Sequence, residues 1–139
     1  MKAFEFVDIT TADVAFVAYG ENLNELFANA ALAMFEVMIN TKQIEPKEER
    51  IIEVDGFDLE SLMFNWLNEL LYFVDAENLA FSEFEVEIDE KNFKLKAKCR
   101  GEFIDHSKHE TRTVVKAATY HQMKIEKNDL WKAQVILDI

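Results

Sequence analysis

The sequence predicts an α+β fold, a two-layer sandwich in which a mixed or antiparallel sheet carries two helices packed on one face. Three observations lead there. Segments with strand periodicity outnumber those with helical periodicity and fall in the order β-β-α-β-α-β-β-β-β. Two segments repeat apolar residues at helical spacing behind a good N-cap residue. Residues 82–99 alternate charged and apolar side chains so that both faces of a hairpin agree on one register. The chain has 139 residues, half of them hydrophobic. That is one domain, residues 1–139, with enough apolar surface for a core of its own. Three Gly and one Pro argue against long linkers.

Residues 3–8 alternate as a first strand, with Phe4 and Phe6 on one face. Residues 13–19 form a second, with Val14, Phe16 and Ala18 on one face and Ala15, Val17 and Tyr19 on the other. Apolar residues on both faces mark a central strand, and Asp13 falls at its start. Asn22 followed by Glu25 is an N-cap with its partner three residues on. Leu23, Leu26, Phe27, Ala30, Ala31, Met34, Phe35 and Met38 continue the helix to about Asn40. Residues 44–49 read as a charged loop and residues 50–55 as a short strand ended by Gly56. Asp58 caps a second helix reaching about Ala76, with Leu62, Met63, Trp66, Leu67, Leu70 and Leu71 in its apolar stripe. Trp66 and Trp131 read as core aromatics.

In the hairpin, Phe84, Val86 and Ile88 alternate with Glu83, Glu85 and Glu87, and Phe93, Leu95, Ala97 and Cys99 alternate with Lys94, Lys96, Lys98 and Arg100. With Glu90-Lys91 as a two-residue turn, Glu87 faces Lys94, Glu85 faces Lys96 and Glu83 faces Lys98. Glu90-Lys91 is not the favoured Asn-Gly type, so a longer loop is the alternative. The basic row opposite an acidic row is largely neutralised, which argues against an RNA-binding stripe. Residues 113–127 read as a strand rich in Val, Thr and Tyr. Residues 130–139 form the last strand, with Trp131, Ala133, Val135 and Leu137 on one face.

Twenty-seven acidic residues oppose fifteen basic ones, a formal net charge of −12. Phosphate backbones are repelled at long range, so direct sequence-specific nucleic-acid binding is not expected, although an acidic protein can serve RNA chemistry by docking on a basic partner. The single cysteine, Cys99, cannot form an intramolecular disulfide and points to a reducing compartment. It alternates with apolar residues and reads as a buried core thiol. The start lacks the apolar run of a signal peptide and no stretch is long enough to span a bilayer. The expectation is a soluble, cytoplasmic protein with no membrane partner.

The candidate chemistry lies in carboxylates. Asp138 is followed by Ile139 at the end of the sequence, which sets a side-chain carboxylate beside a terminal one. Joined by Asp13, these oxygens suit a hard divalent cation, Ca²⁺ first, with Mg²⁺ and Mn²⁺ as alternatives. Alone, Asp13 reads as a turn residue bonding its own backbone. His106, Lys108 and His109 with His121 or Cys99 match no standard zinc spacing, and a solvated loop is the favoured reading for the histidines. Lys116 and His121 fall on opposite strand parity and need not point the same way. The sequence contains no Gly-rich phosphate loop, no Gly-x-Ser-x-Gly elbow and no Cys-His nucleophile set.

Taken in order, Thr11-Ala12-Asp13, Ala18-Tyr19-Gly20, Phe27-Ala28-Asn29-Ala30-Ala31, Trp66-Leu67-Asn68-Glu69-Leu70-Leu71-Tyr72, Gly101-Glu102, Val115-Lys116-Ala117-Ala118-Thr119-Tyr120-His121 and Leu137-Asp138-Ile139 resemble the archease family over nearly the whole chain. The family usually has His before its Thr-Ala-Asp, where this chain has Thr10. The resemblance implies a non-catalytic activator of an RtcB-type tRNA-splicing ligase, promoting ligase guanylylation and multiple turnover. It implies metal binding through Asp13, Asp138 and Ile139, and partner contact through Lys116 and His121. A general chaperone or protein-interaction module is the alternative, needing exposed apolar surface from residues such as Phe4, Phe6, Phe81 and Phe84. A metal-dependent hydrolase acting alone ranks last.

Overall fold

The computed structural model describes residues 1–9 and 13–139. Thr10, Thr11 and Ala12, which carry part of the resemblance, lie outside the described residues. The elements are β1 (Phe4–Val7), β2 (Val14–Gly20), α1 (Leu23–Met38), β3 (Glu48–Asp55), α2 (Leu59–Glu77), β4 (Leu79–Asp89), β5 (Lys94–Phe103), β6 (Ala117–Lys127) and β7 (Trp131–Asp138), with a single 3₁₀ turn at Thr41–Gln43. The α+β class and the order of elements are those the sequence predicts. The strands divide into two antiparallel sheets, one in the order β1-β2-β7-β6 and one in the order β3-β5-β4. Each helix packs against both: α1 on β2 and β4, α2 on β6 and β3.

Both helices start where their caps predict. Asn22 accepts from the N–H of Glu25 at 2.9 Å. Asp58 and Ser61 form a capping box, with Asp58 Oδ1 accepting from Ser61 N–H at 2.7 Å and Ser61 Oγ accepting from Asp58 N–H at 3.1 Å. At the other end of α2, Asn78 takes a left-handed conformation (φ 55°), a C-cap that Asn tolerates better than most residues. Trp66 is fully buried and its indole N–H donates to the Phe27 carbonyl at 3.0 Å, pinning the two helices together. Trp131 is only half-buried, with the Lys127 ammonium 5.8 Å above its ring.

The three-stranded sheet carries its apolar side chains inward and its charges outward, as the alternation predicts, but the register is shifted by two residues. Asp89 faces Lys94, Glu87 faces Lys96, Glu85 faces Lys98 and Glu83 faces Arg100. The connection is the longer loop: Asp89 accepts from the Asn92 N–H at 3.2 Å and from its side chain at 2.8 Å, and Phe93 adopts φ 52°. A shift of two leaves every side chain on its face, so periodicity alone cannot distinguish the two registers. β3 also begins earlier than expected, taking Glu48 and Glu49 out of the loop to pair with Gly101 and Arg100. Arg100 collects Glu49, Glu83 and Glu85 around its guanidinium.

Phe81 is completely buried and meets Phe35 edge to face, while Phe84 packs against the core cluster and stacks on Phe35. Phe4 is half-buried, leaving only Phe6 of the four proposed surface aromatics exposed. No helix of the described residues is long and apolar enough to cross a membrane.

Candidate carboxylate site

β2 and β7 lie side by side, antiparallel, with Val14 opposite Leu137. Asp13, the residue just before β2, and Asp138, the last residue of β7, are the next residues beyond that pair. Asp138 follows Leu137 within β7 and so falls on the opposite face from Leu137, which belongs to the core. Asp138 is exposed and Asp13 half-buried. β6 lies on the other flank of β7, with Ala117 opposite Asp138. The Lys116 N–H donates to the Asp138 carbonyl at 2.7 Å. The topology thus gathers Asp13, Asp138, Ile139 and Lys116 at one end of the four-stranded sheet.

His121 is not part of this group. It lies where β6 departs from regular pairing: Thr119 faces Ile136 and Lys124 faces Gln134, so four residues of β6 span one of β7. Gln122 stands there at φ 54°, and among the described residues the His121 side chain has its hydrogen bond with the Gln122 side chain, at 3.3 Å. The regular strand begins at Ala117 rather than residue 113. Before it the chain is tied to the end of α1, with Arg112 N–H donating to Met38 O at 2.7 Å and Thr113 N–H to Val37 O at 3.1 Å.

Among the described residues, no three His, Cys, Asp or Glu side chains are arranged to hold a metal ion. At a metal site of the expected kind Asp13 and Asp138 would supply two carboxylates, and a third would have to be that of Ile139. The donor set is all oxygen, which fits a hard cation and not zinc. The edge of this site is held from α2. Asn68 Nδ2 donates to the Ala118 carbonyl at 3.2 Å, and Ala118 N–H donates to Asn68 Oδ1 at 3.0 Å. One turn back along α2, Phe64 stacks on Tyr120 at 4.1 Å between ring centres. One turn further back, Glu60 accepts from Ile125 N–H at 3.2 Å. Reading by apolar periodicity missed all three; the signal was their spacing of four along a helix face outside its apolar stripe.

The histidines divide. His106 is exposed, as a solvated loop requires, but His109 is 4 % exposed. Its Nδ1 accepts from the Asp105 N–H at 3.0 Å, so Nε2 carries the proton and donates to Glu102 at 2.8 Å. Burial alone would raise the Glu102 carboxyl, but the Glu45 N–H, the Lys108 ammonium and His109 outweigh it and hold it at about 2. This buried group explains the Gly101-Glu102 pair structurally. Any side chain at Gly101 would begin 1.8 Å from the Ala80 carbonyl oxygen. A cleft of about 630 Å³ lies over the charged face of the other sheet, lined by residues such as Glu53, Asp55, Glu87 and Lys96, and includes none of the candidate residues.

These features define a two-sheet α+β domain whose candidate chemistry is a set of oxygen ligands at a sheet end, not an enclosed catalytic pocket. The Archease protein family model matches residues 4–139. A protein archease of Sulfurisphaera tokodaii is 52% identical, and one of Pyrococcus abyssi 49%, each alignment covering 100% of both chains. The solution structure of Methanobacterium thermoautotrophicum protein 1598 superposes with a TM-score of 0.86 at 50% identity, covering 100% of each chain. The chain belongs to the archease family.

Proposed function

We propose that the protein is a non-catalytic activator of an RtcB-type tRNA-splicing RNA ligase, promoting ligase guanylylation and multiple turnover with a divalent ion held by carboxylates. The observation that carries this reading is the β2–β7 pairing of Val14 with Leu137, which brings the adjoining Asp13 and Asp138 to the same end of the sheet, with Lys116 just ahead of β6. An exposed site on a sheet end can be presented to another protein's active site, whereas a buried one cannot. Asp13, Asp138 and the Ile139 carboxylate would hold the ion, Ca²⁺ in the first instance. When bound, it supplies charge neutralisation and Lewis acidity toward phosphate oxygens. Lys116 adds a cation beside the carboxylates for the ligase or a nucleotide phosphate. The net charge of −12 favours docking on a basic surface. Of the four aromatics named for a general chaperone surface, Phe81 is buried, Phe4 and Phe84 are half-buried against the core and Phe6 is exposed, which gives that alternative less support.

The test is turnover of a same-source RtcB-type ligase with GTP and a divalent metal, with RNA ends first below and then above the ligase concentration. Conversion of single turnover to multiple turnover is expected. Unchanged turnover at matched concentration and low salt overturns the reading.

A further inference from the structure

The geometry points to Asn68 as a positioning residue for the carboxylate site, an inference that rests on the reading above. β6 is an edge strand, with β7 on one side only. On its open edge Asn68 takes the place of a neighbouring strand for one residue, accepting from Ala118 N–H at 3.0 Å and donating to Ala118 O at 3.2 Å. Nδ2 also donates to the Phe64 carbonyl at 3.0 Å, so one amide orientation alone satisfies all three contacts. Ala118 adjoins Ala117, which faces Asp138, and lies two residues from Lys116, whose N–H bonds the Asp138 carbonyl.

The rest of β6 is separated from this end by a break in its pairing with β7. Regular pairing with β7 covers only Ala117, Ala118 and Thr119 before the four-residue excursion. Past the excursion, Glu60 fastens the strand separately at Ile125. The short segment that sets Lys116 against Asp138 is held by three residue pairs, by the Phe64–Tyr120 stack, by the ties of Arg112 and Thr113 to α1 and by Asn68, which alone among these bonds the backbone on its open edge. Groups that orient the residues of a metal site, without touching the ion, typically change its affinity by about 10- to 100-fold. Glu60 provides an internal control, since it fastens the same strand from the same helix on the far side of the excursion.

The full chain is compared with Asn68→Ala, Asn68→Asp and Glu60→Ala. The readouts are Ca²⁺ affinity by calorimetry, exchange of the Lys116 amide proton by NMR, and thermal stability. Both alanine variants are expected to lose some stability. Asn68→Ala alone is expected to weaken Ca²⁺ binding about 10- to 100-fold and to speed Lys116 exchange. Asn68→Asp, which keeps the acceptor for Ala118 N–H, falls between it and the unaltered chain. Equal effects of Asn68→Ala and Glu60→Ala on Ca²⁺ and on Lys116 exchange, or no effect of Asn68→Ala on either, overturn the proposal. If the unaltered chain takes up no Ca²⁺, the metal reading fails. Lys116 exchange then decides alone: selective acceleration in Asn68→Ala upholds the positioning role, and its absence removes it.

Discussion

The Lys116 amide donates to the Asp138 carbonyl at 2.7 Å, so the lysine and the carboxylate of the candidate site are bound to each other through their backbones, not their side chains. Each side chain remains free to act while the strands fix its position. Asp138→Ala is therefore expected to leave the fold intact, with stability changed by no more than about 0.5 kcal/mol, the usual range for an exposed position. Ligase stimulation is expected to be lost. Chemical denaturation and the turnover assay, run on the same preparation, check the two halves. A variant that stimulates normally would remove Asp138 from the site.

Much of this arrangement was legible in the sequence. Alternation located the strands, and Asn22 and Asp58 gave both helix starts, because caps and periodicity are local properties. The pairing of β2 with β7 was not legible, since it joins residues 14 and 137 and depends on which strands choose each other. The hairpin shows the same limit on a smaller scale: its faces were readable, yet its register turned on Asn92 and Phe93 in a loop without a Gly. Asn68 escaped apolar periodicity because it is polar and its partner is backbone, so that its spacing of four from Phe64 and eight from Glu60 on one helix face is the one mark it leaves in the sequence. His109 was misread as solvated because its partner, Glu102, lies on the preceding strand and the bond between them is tertiary.

Glu102 gives a pH dependence with a defined sign. Its carboxyl is depressed from 4.5 to about 2 in the folded chain. A depressed carboxylate contributes stability that is fully present above the unfolded value and is lost as pH falls through the folded one. Glu102→Gln is expected to cost roughly 1.5–3 kcal/mol near neutral pH, the range for hydrogen bonds to a charged group. The gap between the two proteins should then close as pH drops from 4.5 toward 2. Urea denaturation across that range measures it. A gap independent of pH would mean that the charge on Glu102 does not contribute.

Gly101→Ala tests the packing of β5 on β4. The new Cβ would sit 1.8 Å from the Ala80 carbonyl oxygen and 2.7 Å from Phe81 Cα, both backbone atoms that cannot rotate away. Backbone shift is the only relief, so the cost is expected to reach about 3 kcal/mol or more. Gly56→Ala meets the Ser61 hydroxyl at 2.6 Å and the Leu62 N at 2.7 Å and should disturb the capping box as well. Denaturation midpoints of the two variants compare the sites directly.

Cys99 is fully buried, and burial pushes its thiol up to about 12. The thiolate is the reactive species, so the native protein is expected to resist an aromatic disulfide reagent at pH 8 and to react promptly in denaturant. Reaction at the same rate in both conditions would place the thiol at the surface, contrary to its position among Phe84, Ala97 and the helices.

Lys116 and His121 are separated by the structure, and their variants should separate as well. Lys116 adjoins the carboxylate end, while His121 stands in the irregular part of β6 beside Gln122. Removing a cation near a cation site relieves repulsion, so Lys116→Ala is expected to strengthen Ca²⁺ binding, by no more than about fivefold at physiological salt because exposed charges are screened. The same variant is expected to lower ligase stimulation, since the lysine is the group offered to the partner. Affinity and stimulation then move in opposite directions, which loss of folding cannot produce. His121→Ala should leave Ca²⁺ affinity unchanged, and any effect on stimulation would report contact with the ligase alone. Calorimetry beside the turnover assay measures both, and a parallel fall of affinity and stimulation in Lys116→Ala would show that the lysine supports the site's structure and does not face the partner.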